Sequence, residues 1–470
     1  MDIDSRTKRL LPWLVAIAFF MQTLDGSILN TALPRMAADL GERPLQMQNV
    51  VVAYLLTVAL LIPASGWLAD RFGTQRVFIA AIALFSLGSL LCALSPNLRL
   101  LVAARVVQGV GGALLLPVGR LAMLRAIPKG ELLSVLAFVA VPGLLGPLVG
   151  PTLGGWIVQV ATWHWVFLIN LPVGAAGIVL AARYMPDLRG PLYEFDARGF
   201  GLFSAGLVLV TLALQGLGER AIGAATSLLM LVLGVAAMAA YWLHAVRIER
   251  PLFSPTLFRI PTFAVGVTGN LFSRIGSGAM PFLMPLFLQL ALGYSPADAG
   301  MSLIPTAVGA MLSKSFAAPL IRRVGYRRVL GTNTLLVGGM IASFSLVGPA
   351  LPHGVLLLWL GVFGVVNSLQ FTAMNTLTLG DLGRADASGG NGLLSVVMQL
   401  SMSLGVAAAA SLLTAFGGSG QPPGSAAILH AFHATFVSVG SVSAASALIF
   451  MQLRSDERPE HAEPSAVEEG

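Results

Sequence analysis

Long apolar stretches alternate with short polar segments along the whole chain. A helix needs about 20 apolar residues to cross a bilayer, and fourteen stretches reach that length. Because the polar segments between them are short, consecutive helices are expected to run antiparallel. The pattern predicts an all-α polytopic membrane protein with spans near residues 11–33, 47–69, 77–95, 100–124, 132–159, 164–184, 199–217, 224–244, 262–291, 296–321, 328–348, 354–379, 389–415 and 428–452.

The composition supports this class and excludes several others. Hydrophobic residues make up 56% of the 470 residues and charged residues only 10%, against about 25% charged residues in soluble domains. The net charge of +7 is spread over short loops, so no nucleic-acid partner is predicted. The one cysteine, Cys92, excludes a disulfide within the chain and a multi-cysteine metal cluster. Neither a metal site nor a catalytic constellation is predicted.

Lysine and arginine residues mark one side of the membrane. Most of the 28 fall in the loops of one side, and such residues favour the cytoplasm. An even number of spans returns the chain to the side on which it began. Both termini are therefore predicted to be cytoplasmic.

A tight polar hairpin occurs twice. Residues 66–76, GWLADRFGTQR, follow the second apolar stretch, and a degraded copy stands at 318–325, so that Gly73 and Gly325 are 252 positions apart. A hairpin used once per half is typical of a duplicated transporter. The predicted organisation is an N-terminal six-helix half at 1–184, an inserted pair of spans at 185–250, a C-terminal six-helix half at 251–454 and a disordered cytoplasmic tail at 455–470.

Charged residues inside the spans are few, since each costs at least about 2.5–3.5 kcal/mol near the middle of a bilayer. Asp25 is the only acid placed well inside a span, and Arg105 enters span 4 at a similar depth. We therefore predict an Asp25–Arg105 pair that couples transport to protons. Protonation of Asp25 would release Arg105, and substrate binding would favour the deprotonated form by linkage. A static buried pair is the alternative.

Three further cations, Arg120, Arg274 and Lys314, have no obvious acidic partner within the spans. If two of them face the cavity, the pocket is net positive, which favours an organic anion or an anionic metal chelate over a cationic drug. Arg120 and Lys314 could instead extend their side chains to the cytoplasmic interface. The residues predicted to bind substrate are Asn30, Gln108, Arg120, Arg274, Asn367 and Gln370.

The first hairpin is predicted to act as a cytoplasmic gate. Asp70 could accept hydrogen bonds from the N-terminus of a facing helix and pair with Arg71 or Arg125, forming a latch that breaks on opening. Simple anchoring at the membrane surface is the alternative. The hairpin residues assigned to gating are Gly66, Asp70, Arg71, Gly73 and Arg76.

Span 5 carries glycine at every fourth position and two prolines, Pro147 and Pro151. The glycines share one helix face and would let a partner helix approach closely, while each proline removes a backbone donor and would bend the helix. We predict a functional bend, with ordinary small-residue packing as the alternative. The span 5 residues assigned to gating are Gly146, Gly150, Pro151, Gly154 and Gly155.

These stretches resemble the motifs of a known family. The hairpin at 66–73 resembles the loop 2–3 signature of the major facilitator superfamily. RVVQGVGG at 105–112 resembles its span 4 motif, and GPLVGPTLGG at 146–155 resembles its span 5 antiporter motif. LDGSILNTALP at 24–34 and FLINLPVG at 167–174 resemble runs of its fourteen-span drug:proton antiporter branch.

The resemblance implies the two-half major facilitator fold and proton-coupled export of small molecules by alternating access in the bacterial inner membrane, as in multidrug efflux. It also implies a monomer without enzymatic activity and without a cofactor, driven by the proton gradient. Thr74 and Gln75 stand where the loop signature has basic residues, and Arg322 stands where a second-half copy would have an acid. These departures weaken any expectation of symmetric gating.

Other functions stay open at this point. The chain has no Gly-x-x-x-x-Gly-Lys-Ser/Thr loop, so ATP-driven transport is not predicted. The alternatives are export of cationic or lipophilic drugs, uptake or facilitated diffusion, and a non-transporting membrane ligand sensor or scaffold. Charges that are expensive to keep in a membrane disfavour the scaffold, and the shortage of intramembrane acids and histidines disfavours a membrane enzyme.

Overall fold

The described residues of the N-terminal part form seven helices. The computed structural model describes residues 5–191, 194–218, 223–383, 386–418 and 420–453, and no β-strand occurs within these ranges. The seven helices are α1 (Ser5–Leu40), α2 (Gln48–Phe72), α3 (Thr74–Ala93), α4 (Leu98–Ala126), α5 (Lys129–Val160), α6 (Trp165–Leu168) and α7 (Asn170–Tyr184).

The remaining helices comprise one pair and a second large group. The pair is α8 (Ala197–Gly218) and α9 (Ala224–Ala245). The second group is α10 (Pro261–Leu286), α11 (Pro296–Ser302), α12 (Ile304–Val324), α13 (Tyr326–Ser343), α14 (His353–Gly380), α15 (Ala387–Ala415), α16 (Ala426–Ala445) and α17 (Ala447–Phe450). Short 3₁₀ turns lie at Pro44–Met47, Pro255–Arg259 and Phe344–Leu346, and a π turn at Phe287–Ala291 extends α10.

Fourteen helical stretches within the described residues are long and apolar enough to cross a membrane, which confirms the number predicted from the sequence. Several are longer than predicted. Helix α1 continues through Pro34 to Leu40. Helix α5 runs through Pro147 and Pro151, as its predicted bounds required, and begins three residues earlier than predicted, at Lys129. A proline removes only one backbone hydrogen bond, and a membrane span tolerates that loss where its neighbours compensate.

The internal repeat is visible in the backbone. Gly73 and Gly325 both adopt positive φ, 95° and 86°, and each donates its N–H to the carbonyl four residues earlier. The same offset relates Gly41 and Gly293, at φ of 68° and 74°, in the turns that follow α1 and the π turn after α10. The two halves are therefore in register from the first span of each to its hairpin.

Helices α8 and α9 pack on each other, and α8 also packs on α15. A hydrophobic cluster joins Phe203 of α8 to Phe253, which precedes α10, and to Val396 of α15. This packing suits a peripheral pair. The assignment of 185–250 as an inserted pair stays a prediction, and the predicted tail at 455–470 lies outside the described residues.

The two glycines of the first hairpin differ in their roles. Gly73 needs its positive φ, and a Cβ there would overlap the Asp187 carboxylate. Gly66 lies inside α2, and a Cβ there would meet no atom within 4 Å. Another group therefore comes close to the backbone at Gly73 but not at Gly66.

This difference predicts the effect of two matched substitutions. Gly73→Ala should destabilise the protein, because the sparsely populated backbone conformation at φ 95° and ψ 146° costs a residue with a Cβ about 1–3 kcal/mol and the added methyl group meets Asp187. Gly66→Ala should stay within about 0.5 kcal/mol of the parent. Thermal unfolding of the two purified variants would check this, and equal unfolding temperatures would contradict it.

Candidate functional site

A buried ion pair lies inside the N-terminal half. Arg105 Nη1 is 2.7 Å from Asp25 Oδ2, and both side chains are almost completely buried. Asp25 Oδ1 accepts hydrogen bonds from Gln108 Nε2 at 2.8 Å and from Asn170 Nδ2 at 3.1 Å. The pair predicted from the depth of the two residues is therefore formed. Three donors surround the carboxylate, which suits its ionised form because that form only accepts hydrogen bonds.

A second ring of contacts fixes these donors. Ser89 Oγ accepts from Gln108 Nε2 at 2.8 Å and from Asn170 Nδ2 at 3.2 Å. Arg105 Nη1 donates to Gln108 Oε1 at 2.6 Å, and its Nε donates to the Val50 carbonyl at 3.2 Å. Five helices, α1, α2, α3, α4 and α7, thus contribute to one polar network.

The glycines of span 4 allow the neighbouring helices to reach this network. A Cβ on Gly112 would lie 2.6 Å from the Tyr54 hydroxyl, and one on Gly111 would overlap the backbone of α3. Because α2 comes this close, the Tyr54 ring lies 4.2 Å from Arg105 Cζ, a cation–π distance. The motif therefore determines how α2 covers the buried guanidinium.

The loop signature forms a different ion pair. Asp70 at the end of α2 pairs with Arg125 at the end of α4, whereas Arg71 lies over the Trp67 and Phe72 rings at 5.3 and 5.8 Å. Of the two partners left open by the sequence, Arg125 is the correct one. Within the described residues Asp70 accepts nothing from a facing helix N-terminus, so that part of the expectation is wrong here. The pair joins two helices of one half.

The segment after α7 covers the hairpin. Thr74 Oγ1 donates to the Pro186 carbonyl at 2.8 Å and accepts from Leu188 N at 3.0 Å. Arg76 lies 3.7 Å from Asp187, but its side chain is 70% exposed, and pairs this exposed contribute little. Threonine at a position where the loop signature has a basic residue thus binds backbone of the same half.

The glycines of span 5 lie on one face, as predicted, and that face packs on α1. A Cβ on Gly146 would overlap Thr23, and one on Gly150 would overlap Ser27. A Cβ on Gly154 would overlap the backbone of α1. Ser27 Oγ also donates to the Gly146 carbonyl at 3.0 Å. The close approach therefore joins two helices of the same half.

The adjacent face of α5 meets the other half. A Cβ on Gly155 would overlap the Pro296 carbonyl of α11, and one on Gly300 would overlap the Pro151 carbonyl. Thr152 Oγ1 donates to the Gly300 carbonyl at 3.3 Å. This contact lies on the side of the bundle opposite the termini, where α5 ends and α11 begins.

One more hydrogen bond closes the same side. Gln289 Nε2, in the π turn, donates to the Thr31 carbonyl of α1 at 3.0 Å. Within the described residues, these two are the hydrogen bonds that join the N-terminal group α1–α7 to the C-terminal group α10–α17. The protein is therefore closed on the side opposite its termini in this conformation.

The predicted substrate residues fall into two groups. Gln108 belongs to the Asp25 network, and Gln370 is fully buried with its amide bound to Asn333 and Thr334. Neither presents a free polar group to a cavity, so a direct substrate contact is not available to them in this conformation. Asn367 is half-buried.

Asn30 and Arg120 keep polar atoms available. Asn30 Nδ2 donates to the Gly26 carbonyl at 3.1 Å, but its Oδ1 has no partner. Arg120 is half-buried and forms no ion pair with the described residues. Lys314 is exposed on α12, which agrees with the interfacial alternative considered for it.

Arg274 is the other buried cation. Its side chain is only 8% exposed and its Nε has no hydrogen-bond partner. Its Cζ lies 4.2 Å from the centroid of the Phe371 ring. No carboxylate among the described residues pairs with it. Those residues also hold no group of three or more metal-ligating side chains.

Comparisons with known proteins agree with this architecture. A sequence model of the Major Facilitator Superfamily matches residues 15–258 and 266–470. The chain belongs to this superfamily. Its members are transporters, not enzymes, so this chain is a multi-pass membrane transporter.

Curated relatives cover nearly the whole of this major facilitator. A protein of Serratia proteamaculans named "Putative multidrug resistance protein MdtD" is 49% identical over 94% of this chain and 93% of its own length. A protein of the same name from Pectobacterium carotovorum is 47% identical over 97% of both chains. These matches confirm the type of relative that the sequence motifs resemble.

Solved structures show the same fold at low identity. A bacterial homologue of the human lysosomal transporter Spinster, inward-facing and unoccupied, matches with a TM-score of 0.69 and 15% identity over 95% of this chain and 97% of its own. A POT family transporter in complex with a thioalcohol-conjugated peptide also matches with a TM-score of 0.69. Its identity is 16%, over 93% of this chain and 94% of its own.

Sequence reasoning missed three residues of this major facilitator's network and hairpin. Asn170 and Ser89 bind the Asp25 network, and Asp187 contacts the hairpin. Asn170 lies within the FLINLPVG run, which offered a signal. A serine in an apolar span and an aspartate in a loop carry no comparable signal.

The contact between α5 and α11 predicts a conformational effect. Gly155→Leu should disfavour the observed closure, because its side chain would occupy the space of the Pro296 carbonyl. A cysteine at Ala299, which is fully buried, would report this in a Cys92→Ser background. Labelling of intact cells with an impermeant maleimide should be slow in that background and faster with Gly155→Leu.

Gly146→Ala serves as the control, since Gly146 packs on α1 within one half. It should lower stability without raising the labelling rate. Equal labelling of the two glycine variants would mean that the α5–α11 contact does not keep this side closed.

Proposed function

We propose that this protein is a proton-coupled exporter of small molecules that works by alternating access between its two halves. The relatives' name, a multidrug resistance protein, supports the export direction. The proposal places the chain as a monomer in a bacterial inner membrane with both termini in the cytoplasm. It needs no cofactor, because the proton gradient supplies the driving force.

The observation that carries the proton coupling is the Asp25–Arg105 pair. Two charges buried together in a membrane are tolerated only with good geometry and satisfied hydrogen bonds. Protonation turns the Asp25 carboxylate into a donor and removes the charge that Arg105 faces. The donors from Gln108 and Asn170 would then meet a poorer acceptor. The network must rearrange, which gives the proton a structural effect.

Helix α2 offers a route from this network to the other half. Val50 and Tyr54 of α2 contact the Arg105 guanidinium, and α2 packs against α15. Ala59 of α2 shares a hydrophobic cluster with Val396 and Val397 of α15. A shift of Arg105 on protonation would therefore reach the interface between the halves through a helix that touches both.

Gating would use separate contacts on the two sides. Opening the side opposite the termini requires α5 to leave α11, which breaks the Thr152–Gly300 hydrogen bond, and requires Gln289 to leave Thr31. On the termini side the Asp70–Arg125 pair holds α2 to α4, so the N-terminal half can move there as one body. Symmetric gating is not part of the proposal.

The substrate we propose is an organic anion or an anionic metal chelate. Arg274 and Arg120 have no carboxylate partner among the described residues, and Asn30 and Asn367 offer neutral polar contacts. The rival substrate is a cationic or lipophilic drug, which the relatives' name allows. The rival function is a ligand sensor that binds without transport.

A test of proton coupling uses everted membrane vesicles with an acid interior and a pH-sensitive dye. Adding a transported compound should release protons from vesicles that contain the parent protein. Asp25→Asn should abolish this release, because its side chain cannot exchange a proton in this range. Asp39→Asn, in the same helix but exposed, should behave like the parent. Benzoate and ethidium are suitable anionic and cationic probes.

The doubly neutral variant Asp25→Asn/Arg105→Gln keeps most of the network's shape. Full proton-coupled transport by this variant would remove the pair from the mechanism. Binding of a probe by the parent protein without any proton release would support the sensor instead.

A further inference from the structure

Arg274 is a buried cation with no ion-pair partner among the described residues. It lies in the middle of α10 and is 8% exposed. Its Nε is buried without a hydrogen-bond partner. A single buried charge in a membrane interior is normally paired, and an unpaired one marks a functional site. Arg105 shows the paired case in the same molecule. A bound ligand could supply the partner that the described residues lack.

We propose that Arg274, stacked on Phe371, binds the carboxylate of the transported compound, an organic monocarboxylate with an apolar body. This inference rests on the proposed function and specifies its substrate class. The guanidinium carries a fork of donors that fits a carboxylate with two parallel hydrogen bonds. The ring beneath it limits its orientation while leaving the edge donors free for the ligand.

The local charge favours a monoanion. Arg274 is the only lysine or arginine in α10, and α14 contains none. The pair of helices therefore supplies one positive charge, which a carboxylate neutralises completely. A phosphate near neutral pH carries close to two negative charges and would leave one uncompensated in a low-dielectric site.

The face of α14 around Phe371 suits a ligand with a polar end and an apolar body. Asn367 and Asn375 lie one turn before and one turn after Phe371, so the three side chains share a face. Phe371 is 36% exposed, both asparagines are half-buried, and Asn375 Oδ1 is buried without a partner. An aromatic surface thus lies between two amides beside the cation.

The internal repeat relates the position of Arg274 in α10 to a position in α1 that also has free volume beside it. The offset that relates Gly41 to Gly293 also relates Gln22 to Arg274. Gln22 is half-buried with an unpartnered Oε1. One turn later, Gly26 is exposed, and a Cβ there would meet no atom within 4 Å. The first span of each half thus has unsatisfied polar atoms at the same level, with free volume beside α1.

Direct binding to the purified full-length protein tests the site without requiring transport. The probes share a ring and differ in the attached group: benzoate, phenylphosphonate, benzyl alcohol and benzylammonium. Calorimetric titration and ligand-induced shifts of Tm measure their binding. Benzoate should bind best, and benzylammonium and benzyl alcohol should not bind measurably.

Arg274→Gln should weaken benzoate binding about tenfold or more, because both charge and fork are lost. Arg274→Lys keeps the charge without the fork and should weaken it less. Lys314→Gln, which removes an exposed cation on α12, should bind like the parent. Unchanged binding by Arg274→Gln, or preference of the parent for benzylammonium, or no binding of either anion, would overturn the proposal.

Asp25→Asn separates this inference from the proposed function. It should fail to release protons in vesicles, and in its background Arg274→Gln should still weaken benzoate binding. If benzoate binds through Arg274 but the parent never exchanges protons, the carboxylate site stands and proton coupling fails. If protons exchange with a compound whose binding ignores Arg274, coupling stands and the site fails.

A stability measurement checks the same idea without a ligand. Arg274→Met removes an uncompensated buried charge and keeps a long apolar side chain, so the unliganded variant should unfold at a higher Tm than the parent. Arg105→Met is the matched contrast, because it leaves Asp25 buried without its cation and should lower the Tm. A lower Tm for Arg274→Met would show that Arg274 has a structural partner and would overturn the assignment.

Discussion

The burial of the Asp25 carboxylate is the constraint on which the N-terminal half depends. An ionised group away from water needs a counter-ion and donors within hydrogen-bonding distance, and no single helix can supply them all. Arg105 and Gln108 come from α4, Asn170 from α7 and Ser89 from α3, which orients two of those donors. The helices must therefore converge on one point, and small residues at their crossings make this possible.

The glycine motifs follow from that convergence. In span 4, Gly112 and its neighbours let α2 and α3 approach α4, so that Tyr54 covers Arg105. In span 5, one face packs on α1 beside Asp25, and the adjacent face, with Gly155, meets α11 of the other half. Helix α5 thus packs both on α1, which carries Asp25, and on α11, where the two halves meet. This arrangement gives α5 a mechanical role that a bend alone would not require.

The sequence predicted those features that depend on hydrophobicity and depth. Fourteen spans followed from apolar length, and the Asp25–Arg105 pair followed because a lone acid and an arginine enter at similar depth. The ion-pair partner of Asp70 was harder to predict. Arg71 is adjacent to Asp70 in sequence, but successive helix residues point about 100° apart. Asp70 therefore pairs with Arg125 on α4 instead. Residues such as Asn170 and Asp187 gain their roles only through tertiary contacts, which no spacing rule encodes.

The two buried cations carry different net charges in the two steps of the proposed cycle. With Asp25 ionised, its pair is neutral, and a carboxylate on Arg274 makes the second site neutral as well. With Asp25 protonated and Arg274 empty, both guanidiniums are uncompensated. In the proposed cycle the outward step therefore carries little net charge, while the return step moves positive charge toward a negative interior. Moving one elementary charge across the membrane potential releases about 2.3 kcal/mol per 100 mV. The membrane potential therefore favours the return step. The proton on Asp25 supplies part of the charge that moves in this step.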